Sequence, residues 1–248
     1  MQTVDSRSRQ EIIGRRTGRK PLKSKGQEGY QSHLTHNLLV PGSNPGGPTT
    51  PMRFQQKIAA AAAPVLVLSM IAVYRISSRT LDHQFVWYAG FLLYWLLWCV
   101  LFPLLLLGRG RVISLFASAR MSTAAWILVA VPPAVSLIGR WFGFRQGSTN
   151  ELPWITLALI NGVLEEVLWR GVYSDLFRGN VFWGIIWPSV WFGLWHLAPA
   201  SVHTAANAEW QLAFAAALLG LAFGWVAHSS GSVRWTAASH ILAGLLQT

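Results

Sequence analysis

Cysteine is almost absent from this 248-residue chain: Cys99 is the single one, and it lies in an apolar run. That excludes a disulfide framework and a cysteine-built zinc site, and leaves Cys99 as a packing residue. Charge is scarce too. Asp, Glu, Lys and Arg make up 12% of the residues against 52% hydrophobic ones, about half the charged share of an ordinary soluble domain. Acidic residues are the rarest, with nine Asp+Glu against 20 Lys+Arg, for a formal net charge of +11. A surplus of that size invites a nucleic-acid reading, but its distribution excludes nucleic acid as a partner. The first 51 residues hold eight of the 20 basic residues, and most of the others flank apolar runs, as the loops of a multispanning protein do. Two catalytic signatures are missing as well: the His-Glu-x-x-His of many zinc proteases and the Gly-x-Ser-x-Gly of serine hydrolases.

The chain divides by composition into three parts. Residues 1–51 are polar, basic and rich in Gly, Ser and Pro, without apolar periodicity, and read as a disordered tail. No apolar run follows the charges as a signal peptide requires. Gly42-Ser43-Asn44-Pro45 is what the T-arm of a tRNA gene would encode if translated, so the tail reads as a gene-start artefact with Met52 as the true start. A real basic tail would instead bind anionic lipid. Residues 52–151 carry the N-terminal transmembrane helices, and residues 152–248 the chemistry.

The body holds seven apolar segments: 58–74, 84–107, 121–139, 152–177, 181–197, 210–227 and 232–246. A span needs about 20 residues, with a range of about 17–25, so the expected fold is an all-α polytopic membrane protein of about seven transmembrane helices, with a catalytic core in the last four. Pro132-Pro133 should kink the third segment. Ser148, Thr149 and Asn150 offer caps to the fourth. Trp87, Tyr88, Trp141, Trp154, Trp210 and Trp235 fall near segment ends and read as aromatic belts. Loop charges favour a cytoplasmic N-terminus in the inner membrane of the cell, the lipid bilayer being the first partner.

The fourth segment contains Asn161-Gly-Val-Leu-Glu-Glu-Val-Leu-Trp-Arg170. Charge in hydrocarbon is costly and marks function by default. Glu166 and Arg170 are four apart and share a helix face, so they can pair. Glu165 points about 100° away and stays spare. A spare buried carboxylate is a candidate general base; the plainer reading is a buried salt bridge plus a structural Glu. Glu165 lies 14 residues before the Gly179 turn and His196 17 residues after it, about 21 and 26 Å at about 1.5 Å per residue. His240 lies nine residues past Gly231, about 14 Å on the same scale. Tilt and kinks would let the three meet in mid-bilayer. His83, His203 and His228 sit at loop or interface positions and read as solvated.

One carboxylate and two imidazoles can activate a water and stabilise an oxyanion. Two His and a Glu also form the ligand set of several zinc hydrolases, which keeps zinc open as the second choice to a cofactor-free, metal-free site. Glu, His and Arg in spans also build proton relays, so a proton-linked transporter is the main reading outside hydrolysis.

Glu165-Glu166-x-x-x-Arg170-Gly171, Phe192-x-x-x-His196 and His240 in the last helix resemble the CPBP intramembrane proteases, the prokaryotic relatives of the CAAX prenyl endopeptidase, often described as abortive-infection-like. The resemblance spans roughly Leu152 to Gln247. It implies a glutamate-dependent, metal-independent endopeptidase acting on a membrane-associated protein or peptide. Glu165 would activate water, Glu166 would hold Arg170 or a neighbouring His, His196 would position the water, and His240 would bind the oxyanion, with Phe192 beside the substrate. The family's third motif, His-x-x-x-Asn, is broken here by Gly244. Gln247, one turn further along, is the expected substitute donor. Relatives process prenylated tails, bacteriocin precursors or C-terminal sorting anchors, and a prenylated substrate is not expected if the chain is bacterial. The alternative on the same scaffold is a non-proteolytic membrane protein, a transporter or an immunity-type binding protein.

Overall fold

A computed structural model describes residues 51–142, 151–203 and 208–247. Most of the basic tail and the Ser148–Asn150 caps lie outside the described residues, as does the side chain of His203. Within the described residues the chain is helical without strands. The helices are α1 (Phe54–Ser77), α2 (83–107), α3 (Arg109–Ser114), α4 (Thr123–Trp141), α5 (151–176), α6 (182–195), α7 (Leu197–His203), α8 (Glu209–Ser230) and α9 (Arg234–Leu245).

Five of these helices are long and apolar enough to cross a membrane: Phe54–Ser77, His83–Leu107, Thr123–Trp141, Leu152–Leu176 and Glu209–Ser230. The chain is therefore an all-α, multi-pass membrane protein. The fifth and seventh apolar segments are shorter than expected. α6 ends at Trp195, where the chain turns into α7, and α9 has 12 residues, below the minimum of about 17 for a span. Side-chain caps start two of the long helices: Asp82 accepts from Phe85 N at 3.0 Å and Ser122 from Ala125 N at 3.2 Å. α8 ends at Gly231 and α5 is followed by Gly179, with φ of 71° and 80°, a backbone region glycine enters without strain. α4 stays one helix through Pro132 and Pro133.

Three helices contain a π-helical stretch: Trp95–Leu101 in α2, Val167–Val172 in α5 and Phe182–Ile186 in α6. A π turn rotates everything beyond it out of α-helical phase and is frequent at functional sites. The one in α5 begins at the residue after Glu166.

Small residues set the distances between helices. A Cβ on Gly162 of α5 would lie 2.7 Å from Ile241 Cγ1 and 2.9 Å from its backbone N, and one on Gly244 would lie 2.9 Å from Ala158 Cβ. The two contacts run in opposite sequence directions, so α9 lies antiparallel on α5. α8 approaches α6 in the same way, with Gly193 against Ala213 O and Gly220 against Ser189. Membrane helices associate through such close backbone approach, since apolar burial gives them little drive in lipid.

One end of the bundle is tied together by polar contacts. Gln55 and Gln56 donate to Leu106 O and Leu176 O at 2.9 and 2.7 Å, Ser232 Oγ donates to Ala117 O at 2.8 Å, and Val233 N donates to Leu115 O at 2.8 Å. Asp175 takes ion pairs from Arg111 and Arg178 at this end. Trp141 and Trp210 are exposed as belt residues would be, whereas Trp87 is buried, packed on Phe91 and Trp154 with ring centroids 4.8 and 5.4 Å away. Its position near a segment end in sequence is a core position in space, because α2 packs that face inward.

The α5–α9 seam yields a test. Gly162→Val places a branched side chain against the Ile241 backbone, whereas Gly110→Ala meets nothing within 4 Å. Thermal unfolding in detergent should show a lowered midpoint for Gly162→Val and little change for Gly110→Ala.

Candidate active site

α5 carries two adjacent carboxylates, and burial forces each to find partners in a different direction. Glu165 and Glu166 are both fully buried. Glu166 Oε1 lies 3.1 Å from Arg170 Nη1, one turn along α5 within the π stretch, and 3.1 Å from His240 Nδ1 on α9. The Arg170 guanidinium has Phe192 beneath it at 4.0 Å and Phe223 at 5.7 Å, cation–π contacts that offset part of its desolvation. Thr236, one turn before His240, is also fully buried.

Glu165 faces the other way. Its Oε1 accepts from Tyr94 Oη at 3.2 Å and from Trp195 Nε1 at 2.9 Å. Tyr94 in turn accepts from Trp169 Nε1 at 2.8 Å and stacks on Trp195 with centroids 3.8 Å apart. Three side chains thus fix one carboxylate oxygen: Tyr94 of α2 and Trp195 of α6 directly, and Trp169 of α5 through Tyr94. The other, Oε2, has no hydrogen-bond partner among the described residues and lies 3.9 Å from His240 Nε2.

His240 therefore stands between the two carboxylates. An ionised carboxylate only accepts, so His240 Nδ1 carries a proton toward Glu166, and in the neutral ring Nε2 presents a lone pair toward Glu165. Its side chain is 18% exposed, against 0% for both glutamates and 1% for Arg170. Formally the group carries one negative charge with a neutral imidazole and none with an imidazolium. His196, the residue that caps α6, puts Nδ1 2.8 Å from Phe192 O and its ring edge-on to Phe192 at 4.8 Å. That carbonyl can only accept, so Nδ1–H donates and Nε2 is left available. His196 lies within electrostatic reach of Glu165, His240 and Arg170.

Five expected site residues, Glu165, Glu166, Arg170, His196 and His240, gather here. Two weaker ones do not serve as expected. Phe192 is buried under Arg170 with Trp169 and His196 at its edges, so it supports the cation and presents nothing to a substrate. Gln247 lies beyond the end of α9, and its amide donates to Ser136 on α4 at 3.0 Å. The helix ends before the face shared with His240 reaches it. His228 departs from its solvated reading: it packs against Gly184, where a Cβ would lie 2.9 Å from its ring. Tyr94, Trp169 and Trp195 were not anticipated. A polar aromatic in the middle of a span, away from the interface belts, needs a partner for its O–H or N–H, and that signal was present at Tyr94 and Trp169; Trp195, at the end of its segment, carried none. Among the described residues no three His, Cys, Asp or Glu side chains form a candidate metal set.

Residues 148–246 match the family described as type II CAAX prenyl endopeptidase Rce1-like. That segment is Rce1-like. It includes α5 to α9 and all the ionisable residues of the site, while Tyr94 on α2 lies outside it. The family is one of CAAX-type endopeptidases, which are hydrolases. No curated protein and no solved structure matches the chain.

Breaking the Glu166–Arg170 pair on one side leaves a buried uncompensated charge, which commonly costs about 3–5 kcal/mol. Glu166→Ala should therefore lower stability by that order in detergent unfolding, and the double variant Glu166→Met/Arg170→Met should recover most of it.

Proposed function

We propose that the protein is an intramembrane endopeptidase of the inner cell membrane that cleaves a membrane-associated protein or peptide with a water activated by Glu165. The reading rests on one observation: Glu165 Oε2 and His240 Nε2 face each other at 3.9 Å, the carboxylate fully buried, while Oε1 is fixed by two donors. A water between them has two acceptors for its protons and an oxygen free to attack. Glu165 takes a proton as the water oxygen bonds to the scissile carbonyl carbon. The C–N bond then breaks, and Glu165 returns the proton to the departing amine. Atoms and charge balance among these groups, and the proposed step is written without a metal.

Each other group has a supporting part. Glu166, held by Arg170, orients His240 through Nδ1 and fixes which ring nitrogen faces the water. Second-sphere orientation of this kind makes an imidazole competent at one defined position. His196, with Nδ1 bound to the Phe192 carbonyl, offers Nε2 as a further water acceptor. Tyr94 and Trp195 keep Glu165 Oε1 occupied, so that Oε2 alone meets the water. The family description supports a substrate with a C-terminal CAAX-like tail; a host without prenylation would supply another membrane-associated peptide.

The test compares membrane proteomes of cells carrying the intact gene, a deletion and Glu165→Gln, an isosteric change that removes the base. A precursor that accumulates in both deletion and Glu165→Gln supports the reading and names the substrate. Normal processing by Glu165→Gln refutes the base. No precursor in either strain favours a non-proteolytic role, as a transporter or an immunity-type binding protein. Cleavage by the purified protein should persist in EDTA or phenanthroline, and loss that zinc restores would assign the chemistry to a metal.

A further inference from the structure

Hydrolysis needs a donor for the carbonyl oxygen of the substrate as well as a base, and the N–H and O–H groups around Glu165 are nearly all engaged. Tyr94 and Trp195 donate to Glu165, Trp169 to Tyr94, His240 Nδ1 to Glu166 and His196 Nδ1 to Phe192 O. Arg170, stacked over Phe192, is 1% exposed, too deep to reach a peptide. Gln247 is bonded to Ser136. Position 244, one turn past His240, is a bare glycine backbone pressed on Ala158.

Asn161 is the exception. It lies on α5 four residues before Glu165 and so on the same face, with about 5–6 Å between the two Cβ atoms. Its Oδ1 accepts from Trp95 Nε1 at 2.9 Å. An indole N–H can bond only the carbonyl end of an amide, which fixes the flip of the side chain. Both Nδ2 protons then point away from Trp95 and donate to nothing among the described residues. The residue is half-buried, open enough to meet a substrate. The flanking contacts Gly162–Ile241 and Ala158–Gly244 place Asn161 at the depth just beyond His240 on the antiparallel α9.

We propose that Asn161 is a catalytic residue: its Nδ2–H donates to the oxygen of the scissile carbonyl and binds the oxyanion as the Glu165-activated water attacks. Trp95, from outside the Rce1-like segment, is the positioning residue that sets the amide. The water oxygen bonds to the carbonyl carbon, the carbonyl electron pair moves to the oxygen that Asn161 holds, and it returns when the C–N bond breaks. The inference rests on the proposed hydrolase reading.

The test uses the full-length protein in detergent with the precursor that accumulates in Glu165→Gln membranes. Asn161→Leu should lower kcat by about 10²–10³-fold, the usual loss for one oxyanion donor, with KM changed less than about threefold. Trp95→Phe keeps the amide and loosens it, and should lower kcat by less than about tenfold. If Asn161→Leu unfolds, Asn161→Ala replaces it under the same expectation. Equal losses in the Asn161 and Trp95 variants would make Asn161 an anchor only and overturn the proposal, as would full turnover by Asn161→Leu. Full turnover by Glu165→Gln would instead overturn the hydrolase reading itself, so the two failures are distinguishable.

Discussion

Two neighbouring carboxylates buried in an apolar bundle repel each other and are expensive to desolvate, and the structure depends on keeping them apart in their partners. Consecutive residues on a helix point about 100° apart, so Glu165 and Glu166 enter different surroundings from the start. Glu166 takes the cation, Arg170, and Glu165 takes neutral donors, Tyr94 and Trp195. His240 touches one and faces the other. One acid is thereby neutralised, while the other is held by groups that supply no charge and keeps an oxygen turned to His240.

The scaffold serves that separation. The π stretch that follows Glu166 carries Trp169, Arg170 and Gly171; it turns Trp169 to Tyr94 and Arg170 to Glu166 from adjacent positions. Gly171 lets Leu115 approach to 2.5 Å of where its Cβ would stand, docking the loop after α3 directly beneath the site. The α5–α9 seam through Gly162 and Gly244 sets the depth of His240, and the α6–α8 seam through Gly193 and Gly220 sets that of Trp195 and His196. α2 contributes through Tyr94 and Trp95, so the site spans both the Rce1-like segment and the helices before it.

Much of this was legible in the residues. Spacing of four residues foretold the Glu166–Arg170 pair, because helical phase is a local property. Counting residues from turns brought His240 within about 7 Å of the depth of Glu165 at a nearly constant rise per residue, a gap that tilt and kinks close. What failed depended on neighbours that no local pattern contains. Phe192 shares a face with His196, yet what that face meets is a guanidinium. Gln247 shares a phase with His240 only on a helix that runs further than this one does. Seven apolar segments do not make seven full spans, since α6 and α9 end at turns before a bilayer's depth. Tyr94 and Trp195 were the costliest omissions, hidden among 14 tryptophans and five tyrosines; Tyr94 is marked by its mid-span position, whereas Trp195 ends its helix and has no such mark.

The central claim is that Glu165 and His240 share one water. A structure of the full chain in lipid nanodiscs, at a resolution that shows ordered solvent, tests it directly. The account predicts a water within about 3 Å of both Glu165 Oε2 and His240 Nε2, with Oε1 still on Tyr94 and Trp195. A Glu165 carboxylate bonded straight to His240, or an imidazole turned toward lipid with no solvent beside the acid, would contradict it.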